Sequence, residues 1–298
     1  MIKKVIVRIK GGLGNQLFCY AAARRLALKS DAELVIDDVT GFIRDVTYRR
    51  SYALDRFQIL ARKAKPHERM EPFERFRRGL AKMMARHRPF RLRRYVEQEG
   101  IDFDPRLLSF KVKGTVYLDG LWQSEGYFKD VADVIRADLC IMTPTDQNNN
   151  EMAARIHDCL AVAVHVRWFD APWKKGVNNA TNEYYSSAIA HMEEIAPKAH
   201  YFLFSDDPAS ARARVPIPRE RVTCVSHNQG YANAYADLWL MSQCNNFIIA
   251  NSTFSWWGAW LGERKDKIVV CPKIKTQEGK KIAWNLPRQI PRSWRLLY

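Results

Sequence analysis

The chain has 298 residues, 47% of them apolar, and carries a formal charge of +16. Aromatic and aliphatic residues spread along its length exclude a largely disordered chain and leave room for one large core or two ordinary ones. The charge points to an anionic partner without saying which.

At the N-terminus, the apolar run 5–9 is broken by Arg8 and is too short for a signal-peptide core or a membrane span. No other segment reaches eighteen uncharged apolar residues, so a cytoplasmic protein is expected. Residues 2–9 alternate as a strand, a glycine loop follows at 11–14, and a helix is predicted over 15–29, then a strand over 33–36. Strand, loop, helix and strand at this spacing predict an α/β unit on a parallel sheet. Between 62 and 94 stand thirteen Lys/Arg against three Glu, a net charge of +10. Within that stretch Phe73, Phe76, Leu80, Met83 and Met84 recur at helical spacing among Arg75, Arg77, Arg78 and Lys82, the pattern of a basic amphipathic helix. The preferred reading is a helix packed on its own domain with a solvated basic face. The alternative is peripheral docking on an anionic membrane, each basic residue contributing roughly 1 kcal/mol near the headgroups.

Beyond the irregular basic region at 60–110, a strand is predicted over 115–118 and a helix over 126–139. The polar stretch 144–150, PTDQNNN, reads as a linker. It divides an N-terminal domain, 1–150, from a C-terminal one, 151–298. The second half alternates again: strand 160–166, helix 182–195, strands 200–204 and 222–225, helix 234–243, strand 247–250, a helix from 254 and strand 268–271. Two successive α/β halves predict two Rossmann-like domains facing a cleft. Six cysteines, at 19, 140, 159, 224, 244 and 271, include no CxxC pair and read as reduced, packed thiols.

Several loops carry candidate chemistry. Gly11-Gly12-Leu13-Gly14-Asn15-Gln16 follows a strand and opens a helix, where amides receive phosphate or sugar oxygens. Leu17 at the third glycine position rules out a dinucleotide fingerprint, and no P-loop lysine follows. A tight strand-to-helix turn explains the glycines equally well. Asn15 and Gln16, each a donor and acceptor, favour a ligand-facing role.

His165 and Arg167 share one face at the end of strand 160–166, followed by Asp170. A guanidinium there clamps a diphosphate and neutralises charge on a leaving group. The alternative for Arg167 is a structural ion pair with Asp170. His165 either donates to the same anion or is a satisfied core histidine. Asp170 either holds Arg167, acts as a base or caps a turn. Asp206 and Asp207 follow the next strand without the further ligands a metal needs. One of them either accepts from a nucleobase or, like its neighbour, caps a helix. Asn251, Ser252 and Thr253 place small polar groups at a helix start suited to phosphate oxygens. Trp256 and Trp257, inside an apolar helix, read as core rather than sugar platforms.

Together GGLGNQLF, GLWQSEGYF at 120–128, HVRWFD at 165–170, FSDDP at 204–208 and DLWLMSQCNNFIIANSTFSWWGAWL at 237–261 resemble bacterial α-1,2-fucosyltransferases of glycosyltransferase family 11. The resemblance implies a two-domain GT-B fold, GDP-fucose as donor, inversion, and no metal or other cofactor. It implies that Arg167 binds the β-phosphate beside His165, that Asp206 meets guanine, and that Ser252, Thr253 and Ser255 line the diphosphate pocket. Asn15, with Gly14 and Gln16, would reach the donor from the N-terminal, acceptor-side domain. The expected acceptor is a galactose O2 in surface polysaccharide (O-antigen) synthesis, on a lipid-linked precursor at the inner membrane face. One departure stands out: the family loop His-x-Arg-Arg-Gly-Asp has Trp168 and Phe169 in place of the second arginine and the glycine. A related donor such as GDP-colitose is the first alternative. The general base is Asp170 or a carboxylate of the N-terminal half such as Asp37 or Asp38. A nucleic-acid-binding protein is disfavoured, since the basic excess is concentrated in one segment and no nucleic-acid motif accompanies it.

Overall fold

The computed structural model describes residues 2–46, 48–168, 179–273 and 289–298. The chain divides between Cys140 and Ile141 into two compact units, with the C-terminal stretch 290–298 belonging to the second. In the first unit the order is β1 (Lys4–Arg8), α1 (Leu13–Ser30), β2 (Glu33–Asp37), β3 (Arg62–Lys63), α2 (Glu74–Arg86), β4 (Tyr95–Glu97), β5 (Thr115–Asp119) and α3 (Ala132–Asp138). Its strands form one parallel sheet in the order β3-β2-β1-β5-β4. The β-branched run Val5–Val7 makes β1 the buried centre of that sheet. Fourteen of the eighteen residues of α1 are buried, which is why its sequence shows no clean polar face. The buried Arg25 is held by Asp130 and the Leu108 carbonyl, and Asp138 takes both Arg24 and Tyr20.

The second unit runs α4 (Gln147–His157), β6 (Ala161–Val166), α5 (Asn182–Ile195), β7 (His200–Ser205), α6 (Pro208–Arg214), β8 (Val222–Val225), α7 (Ala234–Gln243), β9 (Asn246–Ile248), α8 (Thr253–Leu261), β10 (Val269–Pro272) and β11 (Arg295–Leu297). The sheet is again parallel, in the order β11-β10-β9-β6-β7-β8, and all six residues of β6 are buried. Trp256 and Trp257 are fully buried with ring centroids 5.0 Å apart, so they belong to the core as expected. The six cysteines are unbonded, three of them buried. Two parallel-sheet α/β units of the GT-B type are therefore present.

Three sequence expectations are corrected. The segment 126–139 is not one helix: two 3-10 turns precede the short α3. Tyr127 packs edge-on to Trp122 and Phe128 meets Phe18, so buried aromatics fix a path that local propensity does not. The 144–150 stretch is not a free linker. Asp146 caps α4 by accepting from the Asn149 amide at 2.9 Å, and the Asn149 side chain ties back to Asn228. Finally, α2 packs on the sheet through Ala81 and Ala85, close to Tyr95, and its large apolar side chains stay exposed. Small residues bring the helix backbone near the sheet, so the face in contact is not the most apolar one.

In both sheets the strand order reverses beside the first strand, between β1 and β5 and between β6 and β9. The carboxyl ends of strands at such a reversal are where open α/β sheets bind ligands.

Candidate functional site

In the second unit, Arg167 leaves the end of β6, Asp206 the end of β7, and Asn251–Ser252–Thr253 join β9 to α8. Because β6 lies between β9 and β7, these three loops are neighbours along one sheet edge. His165, the penultimate residue of β6, is 5% exposed, and its ring lies 5.6 Å from that of Phe254 in the first turn of α8. This contact spans the strand reversal. Tyr185 donates to the His165 carbonyl at 2.9 Å, fixing the strand end from α5. Burial, reinforced by the nearby Arg167, pushes the imidazole down to about 3, so at neutral pH it is uncharged. Its Nδ1 is buried with no hydrogen-bond partner among the described residues. His165 is therefore a core residue with one polar atom unspent, rather than a second cation.

Arg167 Nη1 donates to Asp206 Oδ2 at 2.7 Å, and the Trp168 amide donates to Oδ1 at 3.3 Å. Both side chains are about one-third exposed (31% and 37%), so the pair itself contributes no more than about 1 kcal/mol. Asp206 is thus a partner that orients Arg167. Asp170 lies outside the described residues, as does Phe169. Asp207 plays the capping role: it accepts from the Ser210 amide and hydroxyl at the start of α6.

At the head of α8, Ser252 is the N-cap, accepting from the Phe254 amide at 3.3 Å. Asn251 and Ser252 are each 8% exposed, and Thr253 is half-buried. The helix N-terminus supplies partial positive charge to this edge. Ser255 is displaced from the expected lining. It is fully buried within the first turn of the helix, and its hydroxyl donates back to the Ser252 carbonyl.

Trp168 packs against the core of the second unit, and its ring lies under the Arg214 guanidinium at 4.3 Å. Arg214 also donates to the Ala180 carbonyl at 2.6 Å. The aromatic that replaces the motif's second arginine thus brings another arginine, from α6, beside the Arg167 loop. No local motif marks Arg214; only the fold reveals it.

In the first unit, Gly11 adopts a left-handed conformation (φ +79°), which favours glycine at the turn between β1 and α1. The Asn15 and Gln16 amides are already bonded to the Gly12 carbonyl. Gly14 is buried in the first helical turn. Gln16, fully buried, donates to the carbonyls of Gly11 and Ser51 and accepts from the Ala53 amide. It fastens the loop instead of facing a ligand. Of the three loop residues named from sequence, Asn15 alone is partly exposed, and its Oδ1 accepts from Gln123 at 2.7 Å.

Across the β1–β5 reversal lies a cluster the sequence did not flag. The Asp119 carboxylate, 2% exposed, receives Lys10 at 2.7 Å and Tyr95 at 2.6 Å, with Arg8 and Lys82 each at 3.5 Å. Burial alone would raise this carboxyl, but Lys10 and Arg8 more than offset it and hold it far below the usual range. Two cations at alternate positions, Arg8 at the end of the buried strand β1 and Lys10 just beyond it, were the available signal. Asp37 is spent as well, accepting from the Thr40 amide and hydroxyl and from Tyr117. Asp38 differs: Lys63 stands 3.6 Å from Oδ2, while Oδ1 is buried with no partner among the described residues.

The model for Glycosyl transferase family 11 matches residues 4–286. An Escherichia coli protein named alpha-1,2-colitosyltransferase is 28% identical over 278 residues, covering 90% of this chain and 91% of its own. The Escherichia coli O-antigen biosynthesis glycosyltransferase WbnK is 28% identical over 290 residues, covering 89% and 92%. Among solved structures, the alpha-1,6-fucosyltransferase NodZ soaked with GDP-fucose matches with a TM-score of 0.51 at 17% identity, over 88% of this chain and 93% of that one. An Arabidopsis thaliana FUT1 variant in complex with GDP matches at 0.52 and 15% identity, over 88% and 69%. At those identities the structural likeness concerns the fold.

Proposed function

The chain belongs to glycosyltransferase family 11, and on that premise we propose that it moves L-fucose from GDP-fucose to a glycan hydroxyl. The acceptor group in this reading is galactose O2, the linkage α-1,2, the stereochemistry inverting, and no metal takes part. The observation that carries it is the placement of Arg167 beside an uncharged, buried His165 at the β6–β9 reversal, flanked by the N-terminus of α8.

The reaction is a single displacement. The acceptor oxygen forms a bond to the anomeric carbon as the bond from that carbon to the β-phosphate oxygen breaks, and the acceptor proton passes to a base. GDP leaves with added negative charge. Arg167 stabilises that charge with directed N–H donors in a fixed fork, where a point charge would not be oriented. Asp206 sets the fork's direction before the nucleotide arrives. His165 supplies a neutral hydrogen-bonding group that adds no competing charge. The α8 N-terminus, with Ser252 and Thr253, takes phosphate oxygens, and Asn15 is a further donor-binding candidate. For the base, Asp38 has a carboxylate oxygen unspent where Asp37 does not; Asp170 is the other candidate.

A second reading keeps the reaction and changes the sugar. The colitosyltransferase relative, together with Trp168 where the family loop carries arginine, favours a GDP-dideoxyhexose such as GDP-colitose as donor. In both readings the acceptor glycan grows on a lipid in O-antigen synthesis, and the 62–94 region makes peripheral contact with an anionic membrane on its cytoplasmic side. Among the described residues no helix is long and apolar enough to cross a membrane.

Calorimetric titration with GDP, GDP-fucose and GDP-mannose, in EDTA, on wild type and Arg167→Ala tests the donor site. Micromolar GDP binding that is lost in the variant supports the assignment. No guanine-nucleotide binding to wild type sinks it.

A further inference from the structure

Beneath α2 the first unit holds a cavity of 940 Å³ at the starting ends of β1 and β5, the opposite end of the strands from the glycine loop and Asp119. Its floor is apolar, formed by Ile6, Val116, Met70, Ala81 and Ala85. Its rim is cationic: Arg88, Arg91, Arg94, Lys111 and Lys113 line it, all exposed. None of these five has a carboxylate within ion-pair distance among the described residues. The acidic lining group, Glu68, is already clamped by Arg62 and Lys4 at 2.6 Å each, which holds its carboxyl far below the usual range.

A second observation adjoins the first. At the N-cap of α2 and along the helix, Phe73, Phe76, Leu80, Met83 and Met84 are 75, 73, 43, 55 and 50% exposed, among exposed Arg75, Arg77 and Arg86. Met84 and Ala81 also line the cavity, so the apolar helix face and the apolar floor are continuous. Exposed apolar patches of this kind mark interaction sites. A nucleic acid would engage the cations but leave Leu80, Met83 and Met84 in water. A lipid surface satisfies both, because apolar side chains enter the acyl boundary while cations remain among the phosphates.

We propose that the cavity and α2 together bind an anionic phospholipid at a bilayer surface. The headgroup phosphate sits at the Arg88–Arg94 rim, and an acyl chain runs over the Ile6–Val116 floor. This deepens the peripheral-contact part of the function proposed above and is independent of the donor assignment.

Flotation of the full chain with vesicles tests it. One set is phosphatidylcholine alone, the other contains one-third phosphatidylglycerol. Binding is expected to the anionic vesicles only. It should fall on the order of 100-fold in Arg88→Glu/Arg91→Glu/Arg94→Glu, from three lost headgroup interactions, and comparably in Phe73→Ser/Phe76→Ser/Met83→Ser. Circular dichroism and melting temperature confirm that both variants fold. Soluble dihexanoyl phosphatidylglycerol should raise the melting temperature of wild type and not of the rim variant, and inorganic phosphate at the same concentration should leave wild type unmoved. Equal stabilisation by phosphate reduces the site to an anion patch and overturns the proposal. So does equal binding to both vesicle sets, binding to neither, or a dimer that the helix substitutions dissolve. Loss of vesicle binding with GDP affinity intact separates this site from the donor site, and GDP failing to bind a protein that still floats sinks only the donor reading.

Discussion

The uncharged state of His165 has a direct thermodynamic consequence. An imidazole in an unfolded chain titrates near 6.5, whereas in the fold it is pushed down to about 3. The unfolded chain therefore binds more protons than the folded one between those values, and stability rises with pH across that window. The contribution is complete above about pH 6.5 and is lost as pH falls toward 3. Between pH 7 and pH 4.5 the loss amounts to two units at about 1.4 kcal/mol each, or about 3 kcal/mol. His165→Gln removes the titrating group and keeps an amide of similar reach. Urea unfolding followed by the fluorescence of the buried tryptophans of α8, at pH 4.5, 5.5 and 7, reads the second unit. Repacking offsets the variant equally at every pH, so the pH-dependent part is diagnostic. The wild-type advantage should shrink, or reverse, by about 3 kcal/mol from pH 7 to 4.5. Parallel stability curves for the two proteins would mean that His165 is solvated or charge-compensated, and would refute its role as a neutral group beside Arg167.

Arg167→Ala should leave the melting temperature within about 2 °C of wild type, because its ion pair is exposed, while GDP affinity in calorimetry falls roughly 10- to 100-fold. Adding Asp206→Asn should recover part of that loss by removing a carboxylate left facing the diphosphate; a double variant as weak as the single one contradicts the pairing. Asp38→Asn should lower kcat by about 100-fold or more without changing GDP affinity if its free oxygen takes the acceptor proton, and an unchanged kcat in steady-state assays removes it as the base. Gln16→Ala orphans the Ala53 amide and two carbonyls, so denaturation should show about 2 to 3 kcal/mol of destabilisation, against a purely ligand-facing residue, whose loss would change donor affinity alone.

The regular elements of the second half were legible because their apolar periods are clean. Helices at 182–195 and 234–243 and the strand at 222–225 form over the bounds read from sequence. The strand before them, β6, supplied the site in the same way: placing His165 and Arg167 at its end needed nothing beyond local pattern. Their meeting with Asp206 did not follow from pattern, since it depends on β7 lying beside β6 in the sheet. The reading of Gln16 as ligand-facing missed its burial for a simple reason. A polar side chain near a loop advertises hydrogen bonds without saying whether backbone carbonyls already take them. The alternating Arg8 and Lys10 hinted at a buried anion but not at Asp119, which meets them, Lys82 and Tyr95 only in the fold. The α2 segment shows the limit of a helical wheel, which identified the apolar stripe and not the alanines that touch the sheet.

Product analysis tests whether a GDP-activated deoxyhexose is transferred with inversion. Purified protein is incubated with GDP-fucose, a β-galactoside and EDTA, and the products are followed by proton and carbon NMR. One GDP should be released per glycoside formed, with an α-fucosyl anomeric signal correlated to galactose C2. GDP-fucose left intact, or hydrolysed without a new glycoside, would contradict fucosyl transfer. A β-linked product would contradict the single displacement centred on Arg167.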